Sequence, residues 1–327
     1  MWFYFVGLIL IVLLSLGVGA SHLEHLWQVL LHPHSMEYAS EHNILWQIRI
    51  PRIVTALCIG AALGAAGVMA QGACNNPLAE PAILGTSAGA ALGVLVGLLF
   101  NLVTIGSLGA ILFGMVGGLG ASLLAFYLAR TRDNQGSVVL ILVGIALTAT
   151  ISAIVGITTS MISRPDARSV SFWTWGSLAL TSGKDLLILI PVVVVGIVAA
   201  WIVAPQLDLL SLGDATARHI GIDPVRARRL AIIALSILVA AAVSTVGTIA
   251  FLGLAAPHIA RLGFGPKHQP LVLHSSLIGA GILLLADTIA RTAAAPSELP
   301  IGLLTALIGA PVLIILVRKN ISVWRQL

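Results

Sequence analysis

Apolar stretches of membrane-spanning length, broken by short polar or charged segments, follow one another along almost the whole chain. The pattern predicts ten spans, at residues 1–20, 46–72, 83–102, 108–129, 138–161, 186–203, 230–249, 253–264, 271–290 and 301–317. The strict alternation of a membrane barrel is missing, so every span is read as a helix. The first stretch ends in Gly17-Val18-Gly19-Ala20-Ser21, which looks cleavable, but it lacks the positive n-region of a signal peptide and is read as span one. Span two follows QIRIPR, where Pro51 can open a helix because a first-turn proline gives up no internal hydrogen bond. Residues 75–90, NNPLAEPAILGTSAGA, then place Pro77 and Pro81 inside apolar sequence. They form either a broken helix beside a pathway or a plain turn, since irregular backbone at that depth needs protein or a water-filled cavity to satisfy it.

The interruptions carry the candidate chemistry. Residues 207–229, LDLLSLGDATARHIGIDPVRARR, are dense in charge between two strongly apolar runs. A short helix is expected over 212–222, helped by Asp214 near its start and ended by Gly221, and Pro224 opens a second helix with Arg226, Arg228 and Arg229. Such a knob is either a docking surface or a solvated loop. Residues 163–184 are expected outside the membrane, with Trp173 and Trp175 in an interfacial belt. They hold no phosphate loop: Leu178 stands where the first glycine is required, and Asp185 replaces Ser or Thr. In span five, Thr148, Ser152 and Thr159 share one helical face, lining a pathway or bonding back to their own helix. Asp287 and Arg291 are spaced to pair on one helix, which reads as a structural ion pair.

Composition narrows the class. Of 327 residues, 58% are hydrophobic and only 9% charged, and the mean hydropathy is +1.06. No soluble fold of this length hides so much apolar surface, so the fold class is an all-α polytopic membrane protein in one domain, residues 1–327. Cys58 and Cys74 suggest neither a disulfide nor a metal site. His22, His25, His32, His34 and His42 crowd residues 21–43 without a compact ligand spacing and are read as a solvated loop. A net charge of +5 spread over short loops is no nucleic-acid signal. With both termini cytoplasmic, eleven of the 17 Lys and Arg residues fall inside and six outside, as the positive-inside rule requires.

Six ordered motifs, QIRIPR, NPLAEPAILGTSAGA, LSLGDATARHIGI, FLGLAAPHIARL, LLLADTIAR and SELPIGLLTALIGAP, resemble the permease subunits of bacterial ABC importers for iron chelates and vitamin B12, the FecCD or BtuC-like family. The resemblance implies a multi-pass protein of the inner membrane, working as a homodimer or heterodimer of permease subunits. Its partners would be two cytoplasmic ATPases, which hold the ATP and Mg, and a periplasmic solute-binding protein. No cofactor is implied on this chain, and it is not itself a catalyst. Coupling helices over 205–229 would engage the ATPase through Leu212, Gly213, Asp214, Ala217, Arg218, His219 and Gly221. Arg49, Arg52 and Arg291 would face outward and pair with acidic residues of the binding protein, and Ser137 matches the region of the cytoplasmic gate. The implied cargo is a ferric siderophore, with haem and cobalamin as alternatives. An ion-coupled secondary transporter is the competing class.

Overall fold

The computed structural model describes residues 2–19, 25–31, 38–104, 107–129, 136–161, 173–179, 181–295 and 297–311. All the regular structure among them is helical. In chain order the helices are α1 (Trp2–Gly17), α2 (Leu26–Leu31), α3 (Ala39–Asn43), α4 (Ile50–Ala73), α5 (Thr86–Leu99), α6 (Leu108–Leu128) and α7 (Gly136–Met161). After them come α8 (Gly183–Leu210), α9 (Asp214–His219), α10 (Pro224–Val246), α11 (Leu252–Phe264), α12 (His268–Ala290) and α13 (Ile301–Pro311). The ten longer helices fall on the ten expected spans, and six of the helical segments are long and apolar enough to cross a membrane.

Burial sorts these helices into a core and a periphery. The most apolar windows of α4, α10 and α12 are 78%, 72% and 61% buried, against 33%, 22% and 28% for α6, α7 and α8. Lipid gives helices no hydrophobic reason to associate, so the core depends on close backbone approach. A Cβ at Gly60 would land on the Gly279 carbonyl, one at Gly64 on that of Ser275, and one at Gly67 on that of Gly253. Those three contacts seat α4 against α12 and α11, and any side chain there would force the helices apart.

Helix α8 runs on to Leu210, past the expected end of span six at 203, so residues 205–210 of the expected coupling segment belong to it. In three further places the structure departs from the spans read in the sequence. Helix precedes Pro51 instead of starting there: the chain is helical from Ala39, passes through a π-turn at Ile44–Arg49 and continues into α4. A wider turn relieves the clash between a proline ring and the carbonyl four residues earlier. Span seven ends at Val246 instead of 249, because Gly247 takes φ +80° and the backbone after it leaves the helix. The tryptophan segment is not a simple outer loop either. The Ser177 N–H donates to the Val246 carbonyl at 2.8 Å, the Ile301 N–H donates to the Gly176 carbonyl at 2.9 Å, and Trp173 is 4% exposed. Trp173 is therefore a packed side chain, and of the expected belt Trp175 alone is open.

Candidate functional site

A cavity of ≈ 390 Å³ lies between α7, the start of α5 and the irregular backbone around residues 174 and 248–250. Thr148, Ser152 and Thr159 all line it, joined by Ser87, Thr174 and Thr248. Helical spacing aligns the first three along one face of α7, and the two short irregular segments supply the opposite side. The hydroxyls of Thr148 and Thr159 also bond to protein. Thr148 donates across to the Ala82 carbonyl at 3.5 Å, and Thr159 donates back to Val155 at 2.9 Å. At Thr159 cavity lining thus coexists with the back-bonding considered in the sequence. Ser137 lies in the first turn of α7, and its side chain falls outside the described residues.

The broken segments satisfy one another. The Thr248 hydroxyl donates to the Thr174 carbonyl, and Gly176, Gly247 and Gly302 let these two segments and the first turn of α13 meet without side chains between them. Glu80, in the proline-broken segment, accepts the Phe251 N–H at 2.6 Å where Phe251 holds φ +65°. The segment is therefore more than a plain turn, because its carboxylate pins the start of α11. Glu80 and Thr174 were not singled out in the sequence, and only the unwinding at Gly247 brings Thr248, a span-seven hydroxyl, into this wall.

At one end of the bundle the charge-dense segment forms the expected knob. Gly213 at φ +96° and Gly221 at φ +91° bracket α9, and Pro224 opens α10. Ala217 is buried beneath it, while Leu212 and Ile220 stay 59% and 55% exposed. Arg218 and His219 lie on its exposed side. A Cβ at Gly213 or Gly221 would touch nothing within 4 Å, so these glycines are required by backbone conformation and not by close contact. Arg228 grips Asp214 with both terminal nitrogens, at 2.8 and 2.6 Å, and its Nε donates to the Ala73 carbonyl at 3.2 Å. This arginine joins the knob to the end of α4.

At the opposite end sit Arg49, Arg52 and Arg291. The reading that they face outward is corrected, since they are 3%, 7% and 6% exposed. Arg49 donates to the Leu16 carbonyl, and Arg291 donates to the carbonyl and hydroxyl of Ser15. Both cap the last turn of α1, whose carbonyls have no partners within the helix. Arg52 donates to Asp287 and to Glu298, each at 2.8 Å. Asp287 is fully buried and stands 3.7 Å from Arg291 as well, so the expected pair is part of a larger network. Burial lowers Arg291 to about 10, countered by Asp287, and leaves it cationic at neutral pH. Elsewhere His25 meets Glu41 at 3.2 Å, while His22, His32 and His34 lie outside the described residues. No group of three metal-ligating side chains forms among the described residues.

A helical membrane bundle with a hydroxyl-lined cavity open along α7 and a polar knob at one end fits a permease-type subunit. The FecCD transport family model matches residues 7–319, and the chain belongs to that family. It is 38% identical over 257 residues to a Helicobacter pylori protein named a probable iron chelatin transport system permease protein, covering 78% of this chain and 76% of that one. It is 36% identical over 291 residues to the hemin transport system permease protein HmuU of Yersinia pestis, covering 86% of this chain and 85% of that one. A solved metal-chelate type ABC transporter in an inward-facing conformation superposes with a TM-score of 0.85 at 31% identity, covering 97% and 98% of the two chains.

Proposed function

We propose that this chain is the membrane permease subunit of an ABC importer that carries an iron chelate, a ferric siderophore, into the cytoplasm of a bacterium. The observation that carries the reading is the knob. A charge-rich segment that also leaves Leu212 and Ile220 exposed is shaped for a protein partner, because large apolar side chains in water mark an interaction surface. That partner is a cytoplasmic ATPase, which supplies ATP hydrolysis to a subunit that has no catalytic role. Two copies of the chain face each other across the α7 cavity, and a periplasmic binding protein delivers the solute to the opposite end. There the buried arginines hold the rim in shape, with Glu298 at its edge.

The cavity chemistry suits passage. Its lining combines hydroxyls with alanine, valine, isoleucine and glycine, and none of its described lining residues is charged. A bulky chelate would find many weak contacts and no tight site. ATP-driven motion of the knob passes through Arg228 to α4 and through the segment around Glu80 to the cavity wall, while Ser137 sits at the cytoplasmic end of α7. The deciding experiment reconstitutes the chain in liposomes with its ATPase and binding protein, and compares uptake of a ferric siderophore, haem and cobalamin. Uptake of the siderophore that requires both partners is the expected result. Uptake by the chain alone, driven by an ion gradient, would instead make it a secondary transporter.

A further inference from the structure

The end of the bundle that carries the knob holds a second cavity, of ≈ 330 Å³, between the end of α4, the end of α8 and the corner joining α11 to α12. Its polar lining is unbalanced. Gln71 is 2% exposed, and both atoms of its amide lack a hydrogen-bond partner among the described residues. Nη1 of Arg261, in the last turn of α11, is likewise buried without a partner among them. Lys267 stands exposed at the same cavity. Among the described lining residues Asp208 is the one carboxylate, and it is already engaged. Its Oδ1 accepts the His268 N–H at 3.0 Å and lies 2.6 Å from His268 Nδ1.

A buried guanidinium N–H and a buried amide N–H lining one space, beside a lysine, call for an acceptor that carries negative charge. The Oε1 of Gln71 calls for a donor in the same space. We propose that this cavity binds a phosphate-type oxyanion, either free phosphate or the headgroup of an anionic lipid. Arg261 and Lys267 supply the charge, and the guanidinium fork matches phosphate oxygens. The Gln71 amide donates to one oxygen and accepts from a hydroxyl of the ligand. Ser211 also lines the cavity, one residue beyond α8 and three before α9, so the bound anion would brace the root of the knob against α4 and the α11–α12 corner. Occupancy of this cavity is independent of which solute the chain carries.

The test uses the purified full-length chain. In neutral detergent, inorganic phosphate is titrated against chloride at matched ionic strength while the thermal unfolding midpoint is followed. The wild type should rise in midpoint, and Arg261→Gln should weaken the apparent affinity at least about tenfold. Gln71→Glu sets a carboxylate in the cavity that Arg261 and Lys267 also line. That variant should fold, unfold at a higher temperature than the wild type and lose its response to phosphate, which keeps the test informative if Arg261→Gln folds poorly. Native mass spectrometry from nanodiscs of phosphatidylcholine, with or without phosphatidylglycerol, separates the sources. A phosphatidylglycerol retained by the wild type and lost from Gln71→Glu assigns a lipid headgroup, whereas a phosphate response without lipid retention assigns the free ion. A wild type indifferent to phosphate and retaining no anionic lipid overturns the proposal, as do responses that persist in both variants.

Discussion

Asp287 shows how costly charge is retained inside a membrane protein. It is fully buried on α12, yet it serves Arg52 of α4 and Arg291 at its own helix end, and both arginines are themselves nearly enclosed. Ions taken out of water gain only when the geometry is complete, and removing one partner leaves the others uncompensated. Asp287→Asn keeps the shape and removes the charge, so it should destabilise the chain by about 3 kcal/mol. Thermal unfolding in detergent would register this as a lower midpoint. Arg52→Gln introduced into the Asp287→Asn background should then cost less than in the wild type, because the buried one of its two carboxylate partners is already neutral and Glu298 alone remains. Equal costs in the two backgrounds would mean that the carboxylate and the guanidinium are not energetically coupled.

At the scale of elements, the knob is informative because a single arginine fastens it. Arg228 is in the first turns of α10, but its side chain reaches Asp214 on α9 and the Ala73 carbonyl at the end of α4. These bonds tie the knob to the end of α4, so a displacement of the knob should carry to α4 and the proline-broken segment beyond it. In the assembled importer, Arg228→Ala should leave ATP hydrolysis within about twofold of normal and lower solute uptake at least about tenfold, since hydrogen bonds between charged groups, here partly buried, are worth about 1.5–3 kcal/mol. Parallel loss of both activities in reconstituted vesicles would point to failed assembly instead. Gly213→Val probes the same element by another route. At φ +96° and ψ 151° the backbone of Gly213 lies in a region essentially restricted to glycine, where any side chain costs about 1–3 kcal/mol, so the variant should loosen the knob and lower uptake in the same assay. The knob was legible in the sequence because glycine, proline and charge mark its boundaries locally. Arg228 as its fastener was not, because the bond to α4 spans residues far apart in the chain. The orientation of Arg49, Arg52 and Arg291 was hidden for the same reason. Charges near a span end read as outward until the fold shows the α1 carbonyls and the Asp287 carboxylate waiting for them.

For the whole molecule, the uneven burial of the helices decides where lipid ends and a pathway begins. Helices α7 and α8 are both largely uncovered in the single chain, but they differ in what they expose. Exposed positions on α8 include Leu187, Val194, Val195 and Ile202, a surface suited to lipid. On α7, Ser152 and Gly156 are open and line the cavity, while Leu142, Ile145 and Ile157 lie on other parts of its surface. If a second copy closes over the small and hydroxylated face, that face meets water in the transport cycle and α8 does not. A thiol reacts with polar reagents through its thiolate, which forms readily only where water reaches it. In a background where Cys58 and Cys74 are replaced by alanine, Ser152→Cys should react with a charged, membrane-impermeant thiol reagent at least about tenfold faster than Leu187→Cys. Adding the transported chelate should slow the first reaction and leave the second unchanged. Equal, slow rates at both positions would place the hydroxyl stripe of α7 against acyl chains, and the pathway would have to be sought elsewhere in the bundle.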